Sequence, residues 1–282
     1  MGTVNATPAG ETLIRPGGTR LSGYISELWH FRELVFFLAW RDVKIRYKQA
    51  ALGLGWSVLR PLLTIVIFSL VFGALAKFPS NGAPYPLLVF AGLLPWQFFT
   101  SALTSCSESV VGSSGVITKI YFPRLIIPLS AVLANMTEFI ISLALLVPIA
   151  IYYGFWLDPA RLIVLVPLTL LVFMVTSGAG IWFSALNVKY RDFRHIVPFF
   201  VQIGLYASPI GFSSSVIPEQ WRLIYSLNPM VGVIDGYRWA ILGGDTPFNG
   251  LALLISLLIS VLISIAGVRY FRKTERQFAD VI

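Results

Sequence analysis

The stretch "LIVLVPLTLLVFMVTSGAGIWFSALNVKYRDFRHIVP", residues 162–198, decides the fold. From Leu162 to Leu186 it carries no charged side chain. Such a run is long enough to cross a hydrocarbon layer, which takes about 20 residues. Then Lys189, Arg191, Asp192, Arg194 and His195 crowd around Tyr190 within seven residues, and apolar residues resume at Ile196. The pattern describes a membrane span that ends on an aqueous face and turns back.

Composition agrees. Of 282 residues, 56% are hydrophobic and only 12% charged, against about 25% charged in soluble domains. A water-soluble fold of this length has no room to hide that much apolar surface, so the chain reads as one all-α membrane domain. The net charge of +8 is spread in short islands between apolar runs, not gathered on one basic face, and nucleic acid is not an expected partner. Cys106 is the single cysteine, and His30 and His195 lie far apart. Neither a disulfide framework nor a metal site is expected. Residues 1–20 lack a secretory signal pattern and read as a flexible tail.

Outward from the opening stretch, six segments are apolar enough to span: 57–76, 85–106, 125–152, 162–186, 196–212 and 250–268. The fifth is short and contains Pro198 and Pro209. With the N-terminus inside, seven Lys and Arg precede the first span and Arg60 sits near its start. The same side then takes Lys119 and Arg124, the 189–194 island, and Arg269, Arg272, Lys273 and Arg276. The opposite side holds only Lys77, Arg161, Arg222 and Arg238. The positive-inside bias therefore puts both termini and the opening island in the cytoplasm.

Before the first span, Trp29, Phe36, Trp40, Val43 and Tyr47 recur at helical spacing beside a basic stripe of Arg41, Lys44 and Lys48. Residues 25–49 thus read as an amphipathic helix in the membrane interface, which is compatible with bracing a soluble partner. Residues 217–243 are too polar to span and too apolar for a free loop. They read as two short helices at the outer face, or dipping back into the bundle. One lies over 218–226; the other is opened by Asn228-Pro229 and ended at Gly243. Thr176, Gly180 and Ser184 form a small-residue stripe that suits close helix packing, within a subunit or between subunits.

Phosphate-binding loops, nucleophile elbows and zinc-protease motifs are absent from the sequence. No converging acid, base and nucleophile set appears, so the chain is not expected to be an enzyme or to hydrolyse ATP. One acid, Glu138, falls inside a span. Such a carboxylate is either a proton carrier or a structural hydrogen-bonding group. The lack of a second acid or a His in the spans favours a neutral, structural group.

Five blocks together resemble the membrane subunit of ABC-type polysaccharide exporters. They are "RYKQAALGLGWSVLRPLL" (46–63), "FAGLLPWQFF" (90–99), "KIYFPRLIIP" (119–128), "LNVKYRDFRHIVPFFVQIGLYASPI" (186–210) and "LNPMVGVIDGYRWAIL" (227–242). The closest likeness is to O-antigen permeases; capsule and teichoic acid permeases are the alternatives within the family. The resemblance implies a permease of the bacterial inner membrane that works as a homodimer. It also implies two separate nucleotide-binding subunits, which carry the ATP and Mg, and a lipid-linked polysaccharide as cargo. Coupling to the ATPase would involve Glu108, Ser113, Lys119 and Ile120, together with Arg191 and Asp192, which would belong to a cytoplasmic gate or to the transmission surface. Asn228, Pro229, Asp235 and Arg238 would form an outer gate, where Asp235 and Arg238, three apart, are placed to pair. Aromatics that stack on sugar faces are expected among Trp96, Phe98, Phe99, Tyr206 and Trp239. Arg41, Lys44, Arg46 and Lys48 are placed to attract a lipid pyrophosphate. Two rival classes are a proton-coupled transporter using Glu138 and a membrane enzyme acting on lipid-linked sugars.

Overall fold

The computed structural model describes residues 28–48, 55–80, 82–117, 122–243, 246, 248–275 and 278. The expected tail and the coupling residues Lys119 and Ile120 lie outside them. Every regular element among the described residues is helical. Helix α1 (Arg32–Lys48) precedes α2 (Gly55–Phe68), which runs on as a π-helical stretch over Ser69–Leu75. Then come α3 (Tyr85–Gly112), a single turn α4 (Ser114–Ile117), and α5 (Ile126–Ala144) continued by α6 (Leu146–Tyr152). A turn α7 (Pro159–Leu162) leads into α8 (Leu165–Lys189), followed by α9 (Phe193–Ala207). Helices α10 (Glu219–Tyr225), α11 (Pro229–Leu242) and α12 (Gly250–Thr274) complete the fold.

Among the described residues, five stretches are long and apolar enough to cross a membrane: Gly55–Leu75, Tyr85–Gly112, Ile126–Tyr152, Pro159–Lys189 and Gly250–Thr274. The expected fifth of six is α9, which has 15 residues. At 1.5 Å per residue it reaches about 22 Å, short of an apolar core of about 30 Å. Its end is written in the sequence. Pro209 disfavours helical backbone in the residue before it, and Ser208 is extended at φ −108°, ψ 150°.

Helix α3 is the hub, packed against α5, α8 and α11. Leu87 to Trp96 are buried without a break, as expected of a helix apolar all round. Helix α2 is the opposite case, with only 11% of its span buried against 72% for α3. The outer side of α12 exposes Leu251, Leu254, Leu258, Leu262 and Ile265 at helical spacing, a stripe suited to lipid.

The small residues of α8 serve contacts inside the subunit. A Cβ on Gly180 would lie 2.6 Å from Cys106 Sγ on α3, and one on Gly178 would lie 2.6 Å from Ser264 Cα on α12. Thr176 and Ser184 are fully buried. The expected caps of α11 are present. Asn228 Oδ1 accepts from the Met230 N–H at 3.0 Å, Pro229 occupies the first turn, and Gly243 ends the helix at φ +57°. Nearly all of α11 is buried against α12, α3 and α8, so it dips into the bundle and does not lie on its surface.

Candidate functional site

Helix α1 packs on α5 through Leu38 and Ala39, while Trp29, Phe36 and Trp40 of the expected apolar stripe are exposed. Beside these apolar contacts, one polar side chain at the C-terminal end of the helix also reaches into the protein. Arg46, in the last turn, donates from Nη1 to Glu138 Oε1 at 2.8 Å and to Asn135 Oδ1 at 3.1 Å. Asn135 is fixed in turn by donating to the Ala131 carbonyl at 2.7 Å. Glu138 therefore faces a guanidinium from another helix. The structural hydrogen-bonding role expected for Glu138 has its partner on a facing helix, and near-neighbour spacing in the sequence does not identify that partner as Arg46.

The pair lies in a cavity of about 260 Å³ between α1, α2, α3 and α5. Arg60, Gln97, Ser101 and Asn135 supply polar groups, and Tyr47, Trp56, Phe98 and Phe139 supply aromatic walls. A neighbouring groove shares Arg46, Arg60, Thr100 and Glu138 with it and is lined also by Thr104, Ser105 and Val201 of α9. Arg46, Arg60 and Glu138 give its lining a net positive charge. Arg60 was not foreseen as a site residue, although a charge in the first turns of an apolar run was a usable signal. Gln97, Ser101 and Asn135 could not have been picked from many similar polar residues without knowing which faces meet.

The other residues of the expected phosphate-attracting set are placed differently. Arg41 is bound to Asp42 at 2.8 Å, Lys44 Nζ sits 5.5 Å from the centroid of the Trp40 ring, and Lys48 is exposed. Glu108 and Ser113 share a second groove with Arg41 and Asp42, under the middle of α1. Arg191 and Asp192 are exposed in the turn between α8 and α9. That turn is anchored by buried Asn187, which donates to the Ser107 carbonyl of α3 at 3.0 Å.

The five aromatic candidates are not brought to one surface of the subunit. Trp96 is buried and tilted against Phe99 at 5.6 Å, and the ring closes on Gly204 of α9. Phe98 is buried against Phe139 at 5.4 Å and lines the cavity. Tyr206 is exposed on α9. Trp239 packs on Phe248 at 5.0 Å, with the Arg161 guanidinium 5.9 Å above its ring.

Asp235 and Arg238 do not form the ion pair expected from their spacing. Both are buried, at 7% and 3% exposure. Arg238 donates to the carbonyls of Ile210 at 2.7 Å, Phe212 at 2.6 Å and Leu88 at 3.3 Å. Asp235 accepts from Ser214 Oγ at 2.6 Å. The non-helical chain after α9 offers free carbonyls, and these capture the guanidinium. Tyr85 adds a further clasp by donating to the Gly211 carbonyl.

Similarity to known proteins extends over most of the chain. It is 29% identical to the O-antigen export system permease protein RfbA of Myxococcus xanthus, covering 92% of this chain and 98% of that protein. It is 28% identical to an RfbA of Klebsiella pneumoniae over 90% of this chain and 97% of the relative. The polysialic acid transport protein KpsM of Escherichia coli is 23% identical over 83% of this chain and 91% of its own length. Residues 33–242 match the ABC-2 type transporter family. With well over half its length in that match, and with several helices built to cross a membrane, the chain is a multi-pass member of the ABC-2 type transporter family.

Proposed function

We propose that the chain is the permease subunit of an ATP-driven exporter that moves a lipid-linked, O-antigen-like polysaccharide out of the cytoplasm across the bacterial inner membrane. The observation that carries this reading is the near end-to-end similarity to two O-antigen export permeases. Similarity to the polysialic acid protein is lower in identity and coverage, so capsule export ranks behind it. In this reading the permease works as a homodimer with two copies of an ATPase subunit, which supply the ATP and Mg chemistry. Helix α9 and the strap after it complete a sixth crossing, and both termini are cytoplasmic. The polar cavity beside α1 suits a cargo with charged and hydroxyl-rich parts. The Arg46–Glu138 contact at 2.8 Å ties α1 to α5, which supports a structural role for Glu138 over that of a proton carrier.

Removal of the gene tests the reading. A finished lipid-linked polysaccharide should accumulate on the cytoplasmic side. Restored surface display should need both this permease and an ATPase partner with an intact ATP site. An immature precursor, or rescue without ATP hydrolysis, would overturn it in favour of biosynthesis or secondary transport.

A further inference from the structure

On one side of the bundle the ends of four helices are tied to one another by side chains. Asn187, near the end of α8, donates to the Ser107 carbonyl of α3. Helix α8 lies close against α12. There Ser264 Oγ donates to the Met174 carbonyl at 3.0 Å, and Gly267 leaves no room for a Cβ beside the Gly178 carbonyl. The fourth tie comes from Arg124, just ahead of α5. Its Nη1 donates to the carbonyl of Glu275, the C-cap residue of α12.

That place suits a guanidinium. The last carbonyls of a helix have no partner within it and carry a partial negative charge, and a basic side chain there satisfies both. Past the cap, Phe278 is fully buried, with its ring edge-on to fully buried Phe271 at 5.2 Å. Phe122 and Leu125, on either side of Arg124, are buried as well. At residues 275 and 278 the chain beyond its last span is therefore held into the bundle and does not trail from it.

We propose that Arg124 is a positioning residue for transport: its clasp on the end of α12, backed by Phe278, joins the ends of α3, α5, α8 and α12 into one body that moves as a unit under load from an ATPase partner. The proposal rests on the export reading above, which makes this side cytoplasmic. A partner outside the membrane can push only on what the permease presents there, and the connection between α3 and α5 is such a segment. Coupling between distant parts travels through packed side chains and hydrogen-bonded ties. With the clasp in place, a push on that connection reaches α12 and, through it, α8. Without the clasp it bends the start of α5.

The test places the permease and its ATPase partner in proteoliposomes with the lipid-linked polysaccharide that accumulates after gene removal. Movement into the lumen is read as loss of access to an impermeant antibody, and is divided by ATP hydrolysed. Arg124→Gln should keep the partner on gel filtration and hydrolyse ATP within about twofold of wild type, while polysaccharide moved per ATP falls about tenfold, the loss of one charge-assisted hydrogen bond. Arg124→Lys should recover most of the ratio, because an ammonium keeps a donor and the charge at the helix end. A role confined to folding lowers hydrolysis and movement together, and such an unchanged ratio overturns the proposal. If Arg124→Gln does not assemble, Phe278→Leu decides. It keeps an apolar side chain without the ring against Phe271, and its ratio should fall about threefold; an unchanged ratio there is equally fatal. Wild-type protein that moves no polysaccharide on ATP hydrolysis sinks the export reading and this proposal with it. Normal wild-type movement beside an unchanged ratio in the variants removes the clasp's role alone.

Discussion

Arg46 Nη1 lies 2.8 Å from Glu138 Oε1, across 92 residues of sequence. The contact ties the last turn of α1 to the middle of the third span and so sets where α1 leaves the bundle. The side chains retain 34% and 28% exposure, so solvent weakens the pair without removing it. Arg46→Gln should lower stability by about 1–2 kcal/mol, as should Glu138→Gln. The double variant should cost less than the sum, because neither charge is then left alone. Thermal unfolding of the four proteins in one detergent checks this. Strict additivity would show that the two groups do not interact.

Six crossings require Lys189 and Val216, on either side of α9, to lie on opposite faces of the membrane. Buried Cys106 can be replaced by alanine to give a background without thiols. In it, Lys189→Cys should react with an impermeant maleimide only from the cytoplasmic side, and Val216→Cys only from the outside. Both residues are exposed, so each thiol is reachable. Labelling of both from one side would leave α9 as a re-entrant hairpin and the protein with five crossings.

What the sequence makes legible here is what depends on near neighbours. Apolar length marks the spans, and the 189–195 island marks a turn. Asn228-Pro229 and Gly243 mark the ends of α11 because capping involves residues two or three positions away. The cavity was not legible, since Arg60, Gln97 and Asn135 meet only when three helices are packed. The same limit explains Asp235 and Arg238. Three-residue spacing says that two side chains share a helix face. It does not register free carbonyls brought up by a distant strap. The shortness of α9 was half visible in Pro209, which the apolar run around it concealed.

Close helix approach at α8 should be intolerant of a single methyl group. A Cβ on Gly180 falls 2.6 Å from Cys106 Sγ and 2.8 Å from Cys106 Cβ, too near for either helix to keep its place. Gly180→Ala should destabilise the protein by about 1–3 kcal/mol. Gly112→Ala is the control, because nothing lies within 4 Å of its added Cβ, and its effect should stay within about 0.5 kcal/mol of zero. Equal melting temperatures for the two variants would mean that α8 and α3 are less closely packed than this geometry requires.

The last prediction concerns Arg238, whose spacing from Asp235 suggests an exchangeable ion pair and whose contacts say otherwise. Its three acceptors are backbone carbonyls of Leu88, Ile210 and Phe212, so the guanidinium fastens the strap after α9 to α3 and α11. Arg238→Met would leave those carbonyls without their donor and Asp235 buried without a nearby cation. That loss should cost about 3–5 kcal/mol, enough to reduce folded protein in the membrane. Arg238→Lys should cost less, since an ammonium keeps the charge but lacks the fork that reaches carbonyls on separate segments. The exchange Asp235→Arg with Arg238→Asp separates the two accounts. If the residues act as a pair, the exchange restores much of what Arg238→Asp loses. If Arg238 is a clasp for carbonyls, the exchange restores nothing, because a carboxylate at 238 meets carbonyl oxygens and an arginine at 235 removes the carboxylate that accepts from Ser214 Oγ. Folded yield, melting temperature and surface glycan at equal membrane abundance should therefore show no rescue. Recovery of all three in the exchanged protein would mean that the pairing read from the sequence governs this helix after all.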